Sequence, residues 1–497
     1  MERLVKYMMA GLIAFAVAEM TADAQEMTME EAVATARTRS VAALEARNEF
    51  ISAYWAWRTY KASRLPSLSL YGNLMNYDRS LVLLQSYDDA QLKYSSTHNL
   101  QNSLGLRVSQ NVTFTGGVIT AYSDLSRIDQ FYGTRSKTWY SQPVTVSYRQ
   151  PLFAYNQFKW DKLISPKEYE KGKRVYIESM EKLTIEVVEA YNALILASMN
   201  NHIAQTNYDN TVRMHNVAGE RMKLGSVTRD EYLQLELRML NDSISINETA
   251  VKVRDAQMNL NSLLGFDESV EIQPVLAENL PDVTMDYDMV LSKTMENSSF
   301  NLENEIALLN AGADIAKARA DRGITVSLNA RFGLTDTAPT IGGAYKSPLD
   351  QEVVGLSFSV PVFDWGLGKG KVQKAKAAEA VVKAQVQQSE NDYRRTLFTA
   401  VGQFNSQARQ CSVSRRAMKI AGERYELTME NFRNGSASVT DLNTAQSENN
   451  DALQKYISDV SNYWSYYYKL RQYTLYDFIG GKDIDIDEDE MIEELVK

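Results

Sequence analysis

A chain of 497 residues with 44% apolar and 23% charged residues is too apolar to be disordered and too charged to be a helical membrane protein. Its length suggests roughly three domains at about 150 residues each. The 53 Lys and Arg against 63 Asp and Glu leave a net charge of −10, which argues against nucleic-acid binding. One cysteine, Cys411, excludes a disulfide framework and any Cys-based metal site, and three histidines (His98, His202, His215) leave little for imidazole chemistry. No catalytic constellation, cofactor site or metal site is read from the chain.

Residues 1–24 read as a signal peptide. Arg3 and Lys6 precede the apolar YMMAGLIAFAVA, which is too short to span a bilayer, and Ala22-Asp23-Ala24 makes an A-x-A cleavage site before Gln25. Glu19 interrupts the apolar run and so weakens an anchor-helix reading. The mature protein is expected to start near Gln25, outside the cytoplasm, and with Cys411 far from that end no N-terminal lipid is expected. No later apolar run is long enough for a spanning helix, so a membrane crossing would have to be a barrel.

The rest of the chain is an internal repeat. VTVSYRQPLFAYN (144–156) aligns with VGLSFSVPVFDWG (354–366), and GSVTRDEYL (225–233) with GSASVTDLN (435–443), both at an offset of 210. The interval from proline to glycine is therefore the same in each half, Pro151 to Gly225 and Pro361 to Gly435. ASRLPSLSLYG (62–72) matches ADRGITVSLNA (320–330) at the larger offset of 258. The difference between the two offsets is an insertion between the strand motifs of the first half. No proline lies between 167 and 273 or after 361, so the spacers read as long helices. Ser165-Pro166 is expected to start the first of them, running to about Leu224, and the second runs from Leu367 to Asn434. Each then ends at a tip glycine, and T-x-x-E or S-x-x-D caps the returning helix.

The strand segments alternate apolar and small polar residues. Leu68-Ser69-Leu70-Tyr71, Val144-Thr145-Val146-Ser147, Val326-Ser327-Leu328-Asn329 and Leu356-Ser357-Phe358-Ser359 all carry the period of a membrane barrel with a wet interior. The expected domains are a first repeat over 25–265 with a β segment at 65–152, a linker over 266–288, and a second repeat over 289–476 with a β segment at 322–362. An acidic, disordered tail over 477–497 completes the chain.

In this order and spacing the motifs resemble the TolC-like outer-membrane efflux protein family over residues 27–476. The resemblance rests on YRQPLFAYN and FSVPVFDWG, LGSVTRDEYL and NGSASVTDLN, the LPSLSL strand entry, and the LLGF at 263–266. It implies an α+β membrane protein: a trimer-shared transmembrane β-barrel and a long antiparallel helical coiled-coil barrel in the periplasm, internally duplicated. Its implied partners are two further copies of itself, outer-membrane lipid, a periplasmic adaptor and, indirectly, an inner-membrane pump. Residues 103–128 supply one alternating pair beyond the two strands typical of a half. That pair either widens the barrel or forms an extracellular cap, and we favour the wider barrel.

Three groups of candidate residues follow. The tips, Met222, Gly225, Ser226, Val227 and Thr228 with Phe432, Gly435, Ser436, Ala437 and Ser438, are expected to dock the adaptor, the two glycines also meeting the conformational needs of a helix end. Glu231 and Asp441 stand where the family places gate and aperture acids, and a three-fold assembly would make each a carboxylate ring. The bland alternative is that both acids only favour the helix dipole. Two family features are missing, since Thr444 occupies the second ring position and Ala437 the basic gate position. Pro151, Phe153, Pro361, Phe363 and Gly366 are assigned to strand-to-helix turns. GLGKGK (366–371) lacks the full phosphate-loop pattern and is read as such a turn, and YWSYYYKLRQYTLY (463–476) as helix packing.

The functional reading is a passive exit duct of a tripartite efflux pump, not an enzyme. The alternatives are an exit duct for type I protein secretion and a periplasmic coiled-coil scaffold without a pore.

Overall fold

Helices repeat at the offset read from the motifs. In the computed structural model, α3 (Gln157–Lys223) and α4 (Arg229–Leu264) recur in the second half as α7 (Leu367–Asn434) and α8 (Val439–Thr474), following α1 (Met29–Arg39) and α2 (Val41–Ser63) in the chain. The long helices have 67 and 68 residues, about 100 Å each at 1.5 Å per residue, and both returning helices have 36. Shorter α5 (Tyr287–Asn297) and α6 (Ser299–Arg322) lead into the second β segment. The described residues are 25–85, 92–275, 280–281, 283–434 and 436–486. The expected signal peptide, the tip glycine Gly435 and the acidic stretch 487–497 lie outside them.

One helix boundary differs from expectation. α3 begins at Gln157, and Pro166 lies inside it. The side chain of Asn156 accepts from the Lys159 amide at 3.3 Å, so the helix is capped well before Ser165. Pro166 then removes one backbone hydrogen bond from an otherwise continuous helix.

Six strands form one antiparallel sheet. Along it stand β2 (Ser67–Gln85), β3 (Leu92–Val112), β4 (Gly117–Gln130), β5 (Ser136–Leu152), β7 (Thr325–Ala338) and β8 (Leu349–Ser359), each bonded to the next. β2 and β7 start at the same larger offset as their motifs, Ser67 against Thr325. The extra pair belongs to the same sheet: β3 and β4 stand between β2 and β5, and a turn with Gly116 at φ +77° joins them. The pairing of β2 with β3 reaches Gln85↔Leu92, whereas that of β3 with β4 stops at Asn99↔Gln130, so the first hairpin outruns its neighbours. Register shifts at Asn73/Asn76, Tyr122/Asp124 and Ser141/Thr145 bend the sheet.

The chain divides into two compact units, Ile51–Gly172 with Ser299–Asn391, which holds the sheet, and Met1–Phe50 with Lys173–Ser298 and Asp392–Lys497. The main core lies in the second. Val187, Val188, Tyr191 and Leu194 of α3 pack there with Leu260 and Leu264 of α4, Leu397 and Phe404 of α7, and Tyr463 and Tyr467 of α8. The 463–476 segment is thus core packing. β1 (Gln25–Met27) pairs in parallel with β6 (Ile272–Pro274), tying the start of the described chain to the linker, and the Tyr191 hydroxyl lies 2.8 Å from the Met27 carbonyl oxygen.

At the centre of this unit the Glu181 carboxylate is fully buried. It meets the guanidinium of Arg37 from α1 and, at 3.0 Å, that of Arg471 from α8. Arg471 reaches on to Asp477 at 3.5 Å, and Tyr467 donates to the same carboxylate at 2.6 Å. Residues from 477 were expected in a solvated tail. Instead β9 (Tyr476–Asp477) and β10 (Lys482–Asp483) form a hairpin, and Lys293 holds Asp483 at 2.9 Å. The acidic residues there find cations on the folded body, so charge density does not keep 477–486 unstructured.

Glu181→Ala takes from Arg37 and Arg471 the buried carboxylate they share, leaving Arg37 its bonds to Thr184 and Arg471 its pair with Asp477. It is expected to cost about 3–5 kcal/mol, read as a lower midpoint of thermal unfolding in detergent with the sheet signal retained.

Candidate functional site: the helical tips and the two-faced sheet

The two tips are built alike. In the first, α3 ends with the Ser226 amide and hydroxyl on the Arg221 carbonyl at 3.0 and 3.1 Å, and Gly225 adopts φ +74°. In the second, Ser436 makes both bonds to the Asn431 carbonyl at 2.8 and 3.1 Å. The 6→1 bond satisfies carbonyls that a helix end leaves open, and the positive φ is what calls for glycine.

The returning helices start with reciprocal caps. Thr228 accepts from the Glu231 amide at 3.2 Å while the Glu231 carboxylate accepts from the Thr228 amide at 2.8 Å. Ser438 and Asp441 do the same at 3.1 and 3.0 Å, and the Ser438 hydroxyl also donates to Asp441 at 2.7 Å. Hydrogen bonds from the Thr228 amide and hydroxyl hold Glu231 below the usual carboxylate range. The hydroxyl and amide of Ser438 do so for Asp441, helped by the Arg424 charge. Both acids placed at a gate are therefore engaged in helix capping.

Phe432 departs from the docking role. It is buried with Met214, Ala218, Leu235, Val439 and Leu442 in a small core that joins the two helical hairpins. Met222 and Val227 are half-buried, Ala437 packs against the same cluster, and Gly225, Ser226, Thr228, Ser436 and Ser438 are exposed. Sequence reasoning missed the polar clamp beside this core: Arg238 of α4 donates to Asn443 and, at 2.6 Å, to Gln446 of α8, and Gln446 donates to Asn207. These partners are some 205 to 239 positions apart, and no local pattern marks them.

At the ends of the sheet Pro151 closes β5, opposite Ser327, and Phe153 follows at φ +61°. Pro361 follows β8, Phe363 packs edge-on against Trp365 at 4.5 Å, and Gly366 takes φ +86°. Asp364 accepts from the amides of Gly366 at 2.9 Å and Gly368 at 2.7 Å. The amides a phosphate loop would offer are bonded within the chain.

Strand register sorts the sheet into two faces. Leu68, Leu70, Leu104, Leu106, Val146, Phe332, Leu356 and Phe358 share one face, paired through Leu70↔Leu106, Val146↔Phe332, Leu328↔Leu356 and Val326↔Phe358. They stand exposed, Leu68 at 70% and Phe358 at 73%. A contiguous run of exposed large apolar side chains of this kind marks a surface made to be covered by an apolar partner or lipid. The opposite face carries Ser67, Ser69, Arg107, Ser109, Thr120, Ser147, Asn329, Arg331 and Ser357. No helix among the described residues is long and apolar enough to cross a membrane. A sheet polar on one face and apolar on the other has the alternation of barrel strands.

The sequence profile of the outer membrane efflux protein family matches residues 291–474. The match falls within the second repeat and takes in less than half of the chain. The fold likeness takes in both repeats. A membrane protein of Pseudomonas aeruginosa is 15% identical with a TM-score of 0.65, over 90% of each chain. The CmeC outer membrane channel of Campylobacter jejuni is 15% identical with a TM-score of 0.64, over 94% of this chain and 89% of its own. The outer membrane protein VceC of Vibrio cholerae is 14% identical at 0.63, over 92% and 97%. A sequence search of curated proteins finds no match. The chain thus has the fold of TolC-like outer-membrane channels, and its match to the efflux family lies in the second repeat. Six strands in one sheet depart from the four that the resemblance implies.

Two outcomes are expected at the tips. Phe432→Ala should cost about 3–5 kcal/mol locally, seen as faster proteolysis near 425–440 with the main core intact. The depressed carboxyls of Glu231 and Asp441 contribute capping that is complete above the ordinary carboxylate range and is lost as pH falls through their own lowered values. Amide exchange at Thr228–Glu231 and Ser438–Asp441 should rise over that acid range, and a profile without such a step would remove the caps as the cause.

Proposed function

We propose that this protein is the exit duct of a tripartite efflux pump: a trimer whose sheets close one barrel in the outer membrane. In this reading substrates reach it from an inner-membrane transporter through a periplasmic adaptor that docks on the helical tips. The observation that carries the reading is the six-stranded sheet, apolar on one face and polar on the other, with β2 and β8 at its open edges. Unpaired edge groups are untenable in lipid, so closure by further copies follows. With six strands per chain, a trimer closes eighteen, and the strand count stays even.

The matching tips support the adaptor's place. Each presents exposed serine or threonine side chains around a rigid cap, and the same cap recurs one repeat later. Docking then rests on Gly225, Ser226, Thr228, Ser436 and Ser438, with the half-buried Met222, Val227 and Ala437 beside them. Glu231 and Asp441 each contribute one carboxylate per copy near this end, on top of their capping role. Secretion across the inner membrane by the signal peptide completes the route. An exit duct for type I protein secretion would use the same architecture, and only its pump distinguishes it.

The test is planar-bilayer conductance of the detergent-extracted protein with its oligomeric mass measured on the same sample. Discrete openings from a trimer are expected. A protein that stays soluble and monomeric without detergent would sink the duct and favour a scaffold. Asp441→Asn keeps an acceptor for the Ser438 amide and removes the charge. It is expected to weaken block by multivalent cations while leaving the trimer's thermal midpoint in place, and unchanged block would take Asp441 out of the aperture.

A further inference from the structure

Three arginines stand on the polar face of the sheet, within a few rungs of the turn at 112–117. Arg107 of β3 lies opposite Ser69 and Tyr122, Arg331 of β7 opposite Ser147, and Arg149 of β5 opposite Val118 and Asn329. All three are exposed. Arg149 and Arg331 are diagonal neighbours across the β5–β7 pair, about 7–8 Å apart at that register. Like charges so placed repel, and the usual remedy is an interleaved acid.

That remedy reaches Arg107 only. Its guanidinium lies 4.3 Å from the centre of the Tyr71 ring, and Asp124, the acid on this stretch of the face, acts on the same ring. Neither Arg149 nor Arg331 makes an ion pair among the described residues, and their cross-strand partners are Ser147, Asn329, Val118 and Val353. In the duct reading the apolar face meets lipid, so these side chains meet the water inside the closed barrel. A polar channel with low-dielectric walls focuses the field of such charges on whatever passes.

We propose that Arg149 and Arg331, with Arg107 beside them, form an anion-attracting station in the bore, so that the favoured cargo carries phosphate, sulfate or carboxylate groups. The proposal rests on the duct reading and names a substrate class for it. Two uncommitted guanidiniums from each copy offer forked donors to tetrahedral or planar anions. Closure by three copies repeats the pair around the wall and gives a polyanion several contacts at once.

The test uses the full-length protein in detergent. Phenylglyoxal labelling of arginines is followed by mass spectrometry with and without inorganic tripolyphosphate at low salt, and the same anion is then added to bilayer recordings. Arg149 and Arg331 are expected to be protected about tenfold, with the protection fading as salt rises. Arg127, paired to Asp129 on the other face, should be unaffected by the anion. Arg149→Ser with Arg331→Ser should abolish tripolyphosphate block in a trimer that still inserts and opens, and Arg149→Lys with Arg331→Lys should keep it in part. Asp124→Asn is expected to strengthen block, which supplies a readout should the serine pair fail to insert. Labelling reads the station even in a closed duct. Unprotected arginines in an inserted trimer would overturn the station while leaving the duct standing, whereas a protein that needs no detergent and forms no trimer would overturn both.

Discussion

A sheet with one face in lipid cannot end. Each edge strand presents a row of unpaired amides and carbonyls, and in hydrocarbon every unmet group costs several kcal/mol. β2 and β8 are the edges of this sheet, and no other strand among the described residues pairs with them. The other features of the sheet follow from that constraint. Each strand leaves on the side from which its hairpin entered, so strands are added in pairs, and β3 with β4 is such a pair. Register shifts in β2, β4 and β5 supply the local twist that a closing wall needs. Alternation extends across all six strands because a slip of one residue would turn every apolar side chain inward.

The helical unit obeys a different rule, which explains why its offset is invariant while the β segment has grown. At the tips, Phe432, Val439 and Leu442 of one repeat share a core with Met214, Ala218 and Leu235 of the other. One inserted residue in α7 would rotate its far end by about 100° and carry Phe432 out of that core. Strand hairpins tolerate insertion in pairs; a helix anchored at a packed end does not. Glu181 reinforces the limit, since its carboxylate is shared by arginines on α1 and α8 and leaves α3 no freedom to slide there.

What the sequence could reveal follows the range of the interaction responsible. The constant repeat offset, the proline-free tracts, the capping boxes and the alternating strands are written in neighbouring residues, and each appears in the structure where its motif lies. Ser165-Pro166 reads as a helix start because its signals are sound locally; Asn156 simply caps the chain earlier. Phe432 looked like a tip residue because its core partners in the first repeat are far away along the chain. The same holds for Arg238 with Gln446 and for Lys293 with Asp483, the latter holding a hairpin where an acidic stretch suggested disorder. The gate acids are the instructive case. Their sequence signature serves capping and aperture alike, and geometry assigns the capping role directly.

A net charge of −10 says little about what a solute meets inside such a protein. Glu231 and Asp441 spend their charge on helix amides, Glu181 on two guanidiniums, and Asp483 on Lys293. Arg149 and Arg331 spend theirs on no ion pair in the described chain, and register turns both to the polar side of the sheet. An acidic protein can thus carry a basic passage, because folding consumes opposite charges pairwise in the body and leaves the unmatched remainder where water can reach it. For a duct, that remainder acts on the cargo, and strand register, not composition, selects it.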